Sequence, residues 1–226
     1  MVQPIWLPGT PSHFGERYFV FSPKLGRFVA ISSKLEMEQV LLLEFDLAVK
    51  SYCEQPTMAE AIIDGRLLKS RFDFWVLDVD GSARFLEVKY ASDLRDPLSR
   101  AHRQIAIQKK WCEEQGYEHR IVTDEQIWVN PIRINSLRTL LHEYTGRFPR
   151  VVIDASQAMP EVERIIWQTP SISIRLVLEL RPRTVSLEVW RLAIMELIRS
   201  GVVDAALERV ALSPKSQLRI RDGGAK

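Results

Sequence analysis

The stretch from Phe72 to Tyr90 constrains this chain more than any other. Two β-rich runs, Phe72-Asp73-Phe74-Trp75-Val76 and residues 84–90, flank the hairpin signal Asp80-Gly81. Side chains alternate along a strand, so Leu86, Val88 and Tyr90 share one face and Glu87 and Lys89 the other. The same rule sets Phe72, Phe74 and Val76 on one side and Asp73 on the other. The turn decides whether the two polar faces coincide. A three-residue loop with Gly81 in the left-handed conformation pairs Asp78 with Ser82, and hence Asp73 with Glu87. A two-residue loop at Asp80-Gly81 pairs Asp73 with Val88 instead and breaks the arrangement.

Two carboxylates side by side on an otherwise apolar hairpin are the hard oxygen donors that Mg²⁺ takes, few in number, with the other positions left to water and phosphate oxygens. Such a cation makes a bound water more acidic and offsets charge building on a phosphodiester. Lys89, two residues beyond Glu87 on the same face, suits the attacking water or the phosphate by its charge. A Glu on the preceding helix would complete the set. The bland alternative is that Asp, Glu and Lys form an ordinary solvated sheet face.

The surrounding pattern is helix, three antiparallel strands, helix, strand, which makes a mixed sheet with helices packed on it. Ser32 and Ser33 offer an N-cap for a helix over residues 35–45, and Asp64-Gly65 is a second hairpin signal. Residues 99–115 read as an amphipathic helix with Ala101, Ile105, Gln108 and Cys112 in line, Ile107 and Trp111 beside them and Gly116 as its stop. A strand follows at residues 120–123. The first 31 residues, punctuated by Pro and Gly, read as a loose arm with a strand at Arg27–Ile31.

Asn130-Pro131 marks a break, so the expected domains are 1–130 and 131–226. The second is mostly helical in pattern, with helices expected at 136–144, 160–168, 173–180 and 187–200. The last two have helix-turn-helix spacing, and residues 207–220 are expected to fold back as a β wing, giving a winged-helix-like domain.

Composition fits a soluble protein: 46% hydrophobic and 27% charged residues, with a formal charge of +2. That balance alone does not signal nucleic acid. Cys53 and Cys112 lack metal-ligand spacing, and the absence of any apolar run of roughly 18 residues argues against a membrane span and for a cytoplasmic location.

Taken in order, Ser33-Lys34-Leu35-Glu36, residues 41–46, Glu54-Gln55-Pro56, Phe72-Asp73-Phe74 and Leu86-Glu87-Val88-Lys89 resemble the TnsA family, the endonuclease subunit of heteromeric transposases. The resemblance covers residues 33 to 128 well, and the remainder only in pattern. It implies a restriction-endonuclease-like α/β domain followed by a helical, winged-helix-like one. It also implies roles: Glu36 as the helix-borne acid and, with Asp73 and Glu87, a metal ligand, Lys89 as the catalytic lysine, and Gln55 as structural or near the site. Mg²⁺, with Mn²⁺ as a substitute, would serve cleavage of the 5′ strands at double-stranded transposon ends, beside a DDE-type transposase and an AAA+ ATPase regulator. Phe72 departs from the pattern, since many members carry Pro there. Glu38 and Glu44 are expected to be solvated. Arg100, His102, Arg103, Lys109 and Lys110 give their helix a basic side.

Two other function classes share these features. A stand-alone structure-specific or restriction nuclease would use the same four residues, and a winged-helix DNA-binding adaptor would keep the acids as mere surface. Residues 187–200 are too apolar for a helix that reads a DNA groove. The expectation is therefore that residues 131–226 dock a protein partner rather than a DNA sequence.

Overall fold

The computed structural model describes residues 2–5, 18–144 and 150–221, with the Arg150 side chain excepted. Part of the expected N-terminal arm, including Trp6, lies outside the described residues. The chain divides into two compact units, 1–129 and 130–226. No helix among the described residues is long and apolar enough to cross a membrane.

The first unit opens with an antiparallel hairpin, β1 (Tyr18–Ser22) and β2 (Arg27–Ile31). The arm expected to be loose is therefore paired here. Helix α1 (Lys34–Phe45) starts where Ser33 accepts a hydrogen bond from the Glu36 amide, which satisfies one of the donors every helix start leaves open. Next come β3 (Val49–Glu54), β4 (Met58–Ile63), β5 (Arg66–Arg71), β6 (Phe74–Asp78) and β7 (Ala83–Lys89). The short α2 (Ala91–Arg95) precedes α3 (Arg100–Gln115), which Ser99 caps and left-handed Gly116 ends. Strand β8 (Glu118–Thr123) and α4 (Asp124–Ile127) close the unit.

The main sheet has the order β3-β6-β7-β8. Its first three strands are antiparallel, and β8 joins β7 in parallel after the α3 crossover. Both α1 and α3 pack against it, so this is the expected mixed α/β layer. The expected meander is corrected in one respect. β4 and β5 form a separate two-stranded ladder around Asp64-Gly65, and the third antiparallel strand is β3. Its residues do not alternate cleanly because the register shifts between Val49 and Ser51, and a bulge there breaks the period of two.

Phe72 also departs from expectation. It does not continue the face of Phe74 and Val76. It sits with Phe85, Ala59, Ala61, Ile107 and Cys112, with Trp75 and Trp111 packed alongside. The reason is local: the chain bends at Asp73, and the Phe72 amide donates to the Thr57 carbonyl at 3.3 Å. A Pro at this position would lack that donor. Its ring centroid lies 4.4 Å from that of Phe85 and 5.4 Å from that of Trp111. Phe72→Ala should therefore cost about 3–5 kcal/mol, read as a lowered urea midpoint at unchanged slope. A loss below about 1 kcal/mol would mean the cluster collapses around the gap.

The second unit contains α5 (Pro131–His142), α6 (Arg150–Trp167), β9 (Ile172–Ser173), α7 (Ile174–Glu179), α8 (Leu187–Arg199), β10 (Val203–Asp204) and β11 (Gln217–Ile220). α5 begins earlier than expected because Asn130 caps it and Pro131 occupies the first turn, where no amide hydrogen is needed. In α6, Pro160 lies inside the helix rather than at its start. The three short strands form one antiparallel sheet in the order β10-β11-β9. Residues 207–220 thus supply β11, which folds back antiparallel on β10, so the hairpin expected there begins earlier, at Val203.

Helix α8 packs on α6 and buries Trp190, Leu192, Ala193, Ile194, Met195, Leu197 and Ile198. The Trp190 indole donates to the Val177 carbonyl at 2.7 Å, so even its polar edge is satisfied inside. Most of the apolar surface from which partner docking was expected is consumed by this unit's own core, and Leu187, at the start of α8, stays exposed.

Candidate active site

The site rests on the β6–β7 turn. The Asp78 amide donates to Ser82 O at 2.9 Å, the Gly81 amide donates to Asp78 O at 3.1 Å, and Gly81 has φ of +89°. The ladder runs from Leu77 opposite Ala83 to Phe74 opposite Leu86. This is the three-residue loop, and one further step of the same register places Asp73 across from Glu87. Asp80 steadies the turn by accepting from the Ser82 amide at 2.8 Å.

Asp73 lies at the bend before β6, where its Oδ2 accepts from the Val88 amide at 2.7 Å. Glu87, only 1% exposed, is no member of a solvated sheet face. Its Oε1 meets Lys89 Nζ at 2.5 Å, and its Oε2 accepts from Gln108 Nε2 at 2.7 Å. Glu36 comes from the first turn of α1, where the helix dipole favours an acid. Its Oε2 accepts from the Ser32 hydroxyl at 3.4 Å.

The electrostatics join all four. Desolvation pushes the Asp73 carboxyl well above the usual carboxylate range, and the charges of Glu87 and then Glu36 push it further; Lys89 and the Val88 amide oppose the shift. Desolvation works against the Lys89 ammonium, yet Glu87, Asp73 and Glu36 together hold its pKa above the ordinary value. Lys89 is therefore charged at neutral pH.

Glu38 and Glu44 are not solvated alternatives to Glu36. Glu38 is buried and accepts from the Trp128 indole at 2.6 Å. Glu44 is buried among the Ser22 hydroxyl, the Lys24 amide and the Tyr52 hydroxyl. Both brace the fold. The basic residues of α3, from Arg100 to Lys110, are exposed as expected.

Gln55 lies closer to the chemistry than its turn suggested. Its amide donates to the Asp73 carbonyl at 2.8 Å, and its side-chain Nε2 donates to the Ser32 hydroxyl at 2.9 Å. One residue thus braces the backbone of Asp73 and, through Ser32, the carboxylate of Glu36. It does so at φ +43°, a left-handed conformation unusual for a side chain of this size, and with its Oε1 buried and unpartnered.

Sequence reasoning missed Gln108 and His119. Gln108 was placed only as part of the apolar line of its helix. The signal was there: a Gln among Ala101, Ile105 and Cys112 must find polar partners when buried. Burial, and then the charge of Lys109, lower the His119 pKa, so that imidazole is neutral at neutral pH.

Among the described residues no three His, Cys, Asp or Glu side chains already enclose a point where an ion would sit. The donor chemistry nonetheless fits a hard divalent cation. Asp73 and Glu87 are adjacent, and the Asp73 pKa is raised first by burial and then by the charges of Glu87 and Glu36, both of which a cation would offset. Mg²⁺ needs only one or two carboxylates, with water completing its shell. Asp73 and Glu87 would hold it, with Glu36 approaching from α1.

Residues 46–124 match the family model described as TnsA-like endonuclease N terminal. The matched span contains Asp73, Glu87 and Lys89, while Glu36 and the whole second unit lie outside it. No curated protein matches the chain.

Proposed function

We propose that this chain, whose matched endonuclease domain supports membership of the TnsA family, is a Mg²⁺-dependent DNA endonuclease that cleaves the 5′ strands at transposon ends during cut-and-paste transposition. A TnsA-like endonuclease domain implies nuclease activity, a DNA substrate and a transposase partner in general terms. One observation supports the metal-dependent part of this reading: a buried Glu87 on β7 faces a desolvated Asp73 at the bend before β6, with the Lys89 ammonium against Glu87.

A bound Mg²⁺ would supply a more acidic water and a counter-charge for the phosphodiester. The chain's own groups do the rest. Asp73, at the bend before β6, and Glu87, on β7, would hold the cation, kept facing each other by the turn, and Glu36 would add negative charge from α1. Lys89 places a fixed positive charge where the phosphate gains negative charge, in a half-buried setting where water screens it little. We assign Mn²⁺ as a substitute cation on the same donors.

The partners proposed are a DDE-type transposase and an AAA+ ATPase regulator, with residues 131–226 as the winged-helix-like docking part. Since most apolar side chains of α8 are buried, that role falls to those the unit leaves exposed, chiefly Trp167, Ile153 and, at the first turn of α8, Leu187.

The test is cleavage of end-labelled transposon-end duplex in Mg²⁺, with and without the transposase. Nicking of the 5′ strands that needs Mg²⁺ and the partner supports the proposal. Equal cleavage of unrelated duplex without the partner favours a stand-alone nuclease. Activity that persists in EDTA overturns the metal-dependent assignment.

A further inference from the structure

Gln108 has no exposed surface and lies on α3, outside the strands that carry the candidate ligands. Its Nε2 donates to Glu87 Oε2 at 2.7 Å and approaches the Arg71 carbonyl at 3.0 Å and the Ser70 hydroxyl at 3.1 Å. Its Oε1 faces His119 Nε2 at 3.2 Å. The proton inventory fixes the amide's orientation. A carboxylate and a carbonyl can only accept, so the NH₂ end must point at Glu87 and Arg71. The carbonyl end then needs a donor, and a neutral His119 provides one only as the tautomer with hydrogen on Nε2. The chain of contacts is therefore directional, from β8 through α3 to β7.

Its effect on Glu87 is specific. Oε2 is held by the fully buried amide and Oε1 by the half-buried Lys89, so Oε1 is the oxygen a cation can take more readily. We propose that Gln108 is a positioning residue which makes Glu87 a one-oxygen ligand, and that His119 locks the amide that does so. Without the amide, the Glu87 carboxylate is free to rotate, and its second oxygen becomes an unsatisfied buried acceptor. Partners of this kind behind a metal ligand commonly set its orientation and strength. The inference rests on the metal-dependent endonuclease reading.

The experiment is Mn²⁺ titration of the full chain followed by electron paramagnetic resonance, with no DNA present. Gln108→Met keeps the side chain's length and removes its polar atoms. It should weaken Mn²⁺ binding by roughly 10–100-fold, the usual effect of losing such a partner. His119 is half-buried and meets the core at the edge of the Phe72 ring, 6.0 Å between centroids: His119→Leu should weaken binding several-fold, and His119→Gln, which again offers an N–H, should restore it. Restoration by His119→Gln is not expected of a residue that merely fills space. Near-UV circular dichroism checks that each variant is folded. A folded Gln108→Met chain that binds Mn²⁺ as the parent does overturns the inference alone. If Gln108→Met does not fold, His119→Leu binding equal to the parent overturns it. A parent chain that binds no Mn²⁺ overturns the metal-dependent reading, and the inference with it.

Discussion

Asp73→Asn is expected to lower DNA cleavage by about 10³-fold or more, because it removes a charged oxygen donor from the cation worth several kcal/mol of transition-state stabilisation. Asn is the informative replacement. Asp73 accepts from the Val88 amide, and Asn keeps an acceptor there, whereas Ala would leave that donor unpaired at about 1–3 kcal/mol. Single-turnover cleavage at saturating Mg²⁺ reads the effect, and activity within a few-fold of the parent would end the assignment of Asp73.

The same variant carries a pH signature. The Asp73 carboxyl is pushed well above its usual value by desolvation and by Glu87 and Glu36. A group with a raised folded pKa gives stability that is whole below its unfolded value, about 3.9 for Asp, and lost as pH rises through the folded value. In EDTA, the parent should therefore lose stability relative to Asp73→Asn as pH rises from about 4. Adding Mg²⁺ should narrow the gap. A difference in urea midpoint that stays constant with pH would remove the like-charge cluster from the account.

Lys89→Met should also abolish most cleavage, by about 10²–10³-fold, the usual loss when one preorganised charge or donor at a transition state is removed. Its effect on the cation should be the opposite of that at Asp73. The Lys89 ammonium now lies 2.5 Å from Glu87 Oε1, the oxygen left for a ligand, and competes with any cation that approaches it. The variant should bind Mn²⁺ as tightly as the parent, or more tightly. If its affinity falls as far as that of Asp73→Asn, Lys89 organises the carboxylates and has no separate part in catalysis.

How much of this was legible depends on the range of the interaction. The turn at Gly81, the caps at Ser33 and Ser99 and the stop at Gly116 are decided within a few residues, and the chain states them openly. The facing of Asp73 and Glu87 follows from that turn and a period of two. β3 was hidden by its register shift, and α6 by a Pro that usually begins helices. The apolar length of α8 was plain, but whether it fed a core or an interface depended on α6, which packs on it from elsewhere in the sequence. That Gln108 needed polar partners, and that Gln55 lay near the site, could be read; which groups they and His119 meet could not, because those partners lie 11 to 38 residues away.

Hairpin loops at a protein surface are where insertions and deletions ordinarily accumulate, since little packs against them. The exposed tip Val79-Asp80-Gly81 looks like such a place. The pair that closes it nonetheless sets which residue stands across from Asp73. A loop that closed over Val79 and Ser82, or over Asp78 and Ala83, would still make a stable-looking hairpin, yet turn Glu87 to the face away from its acid partner. Descendants of this chain should therefore vary freely at Val79 while keeping an acceptor at Asp80 and a turn that sets Asp78 opposite Ser82. A slip of that pair would mark a copy that has kept its shape and lost its chemistry.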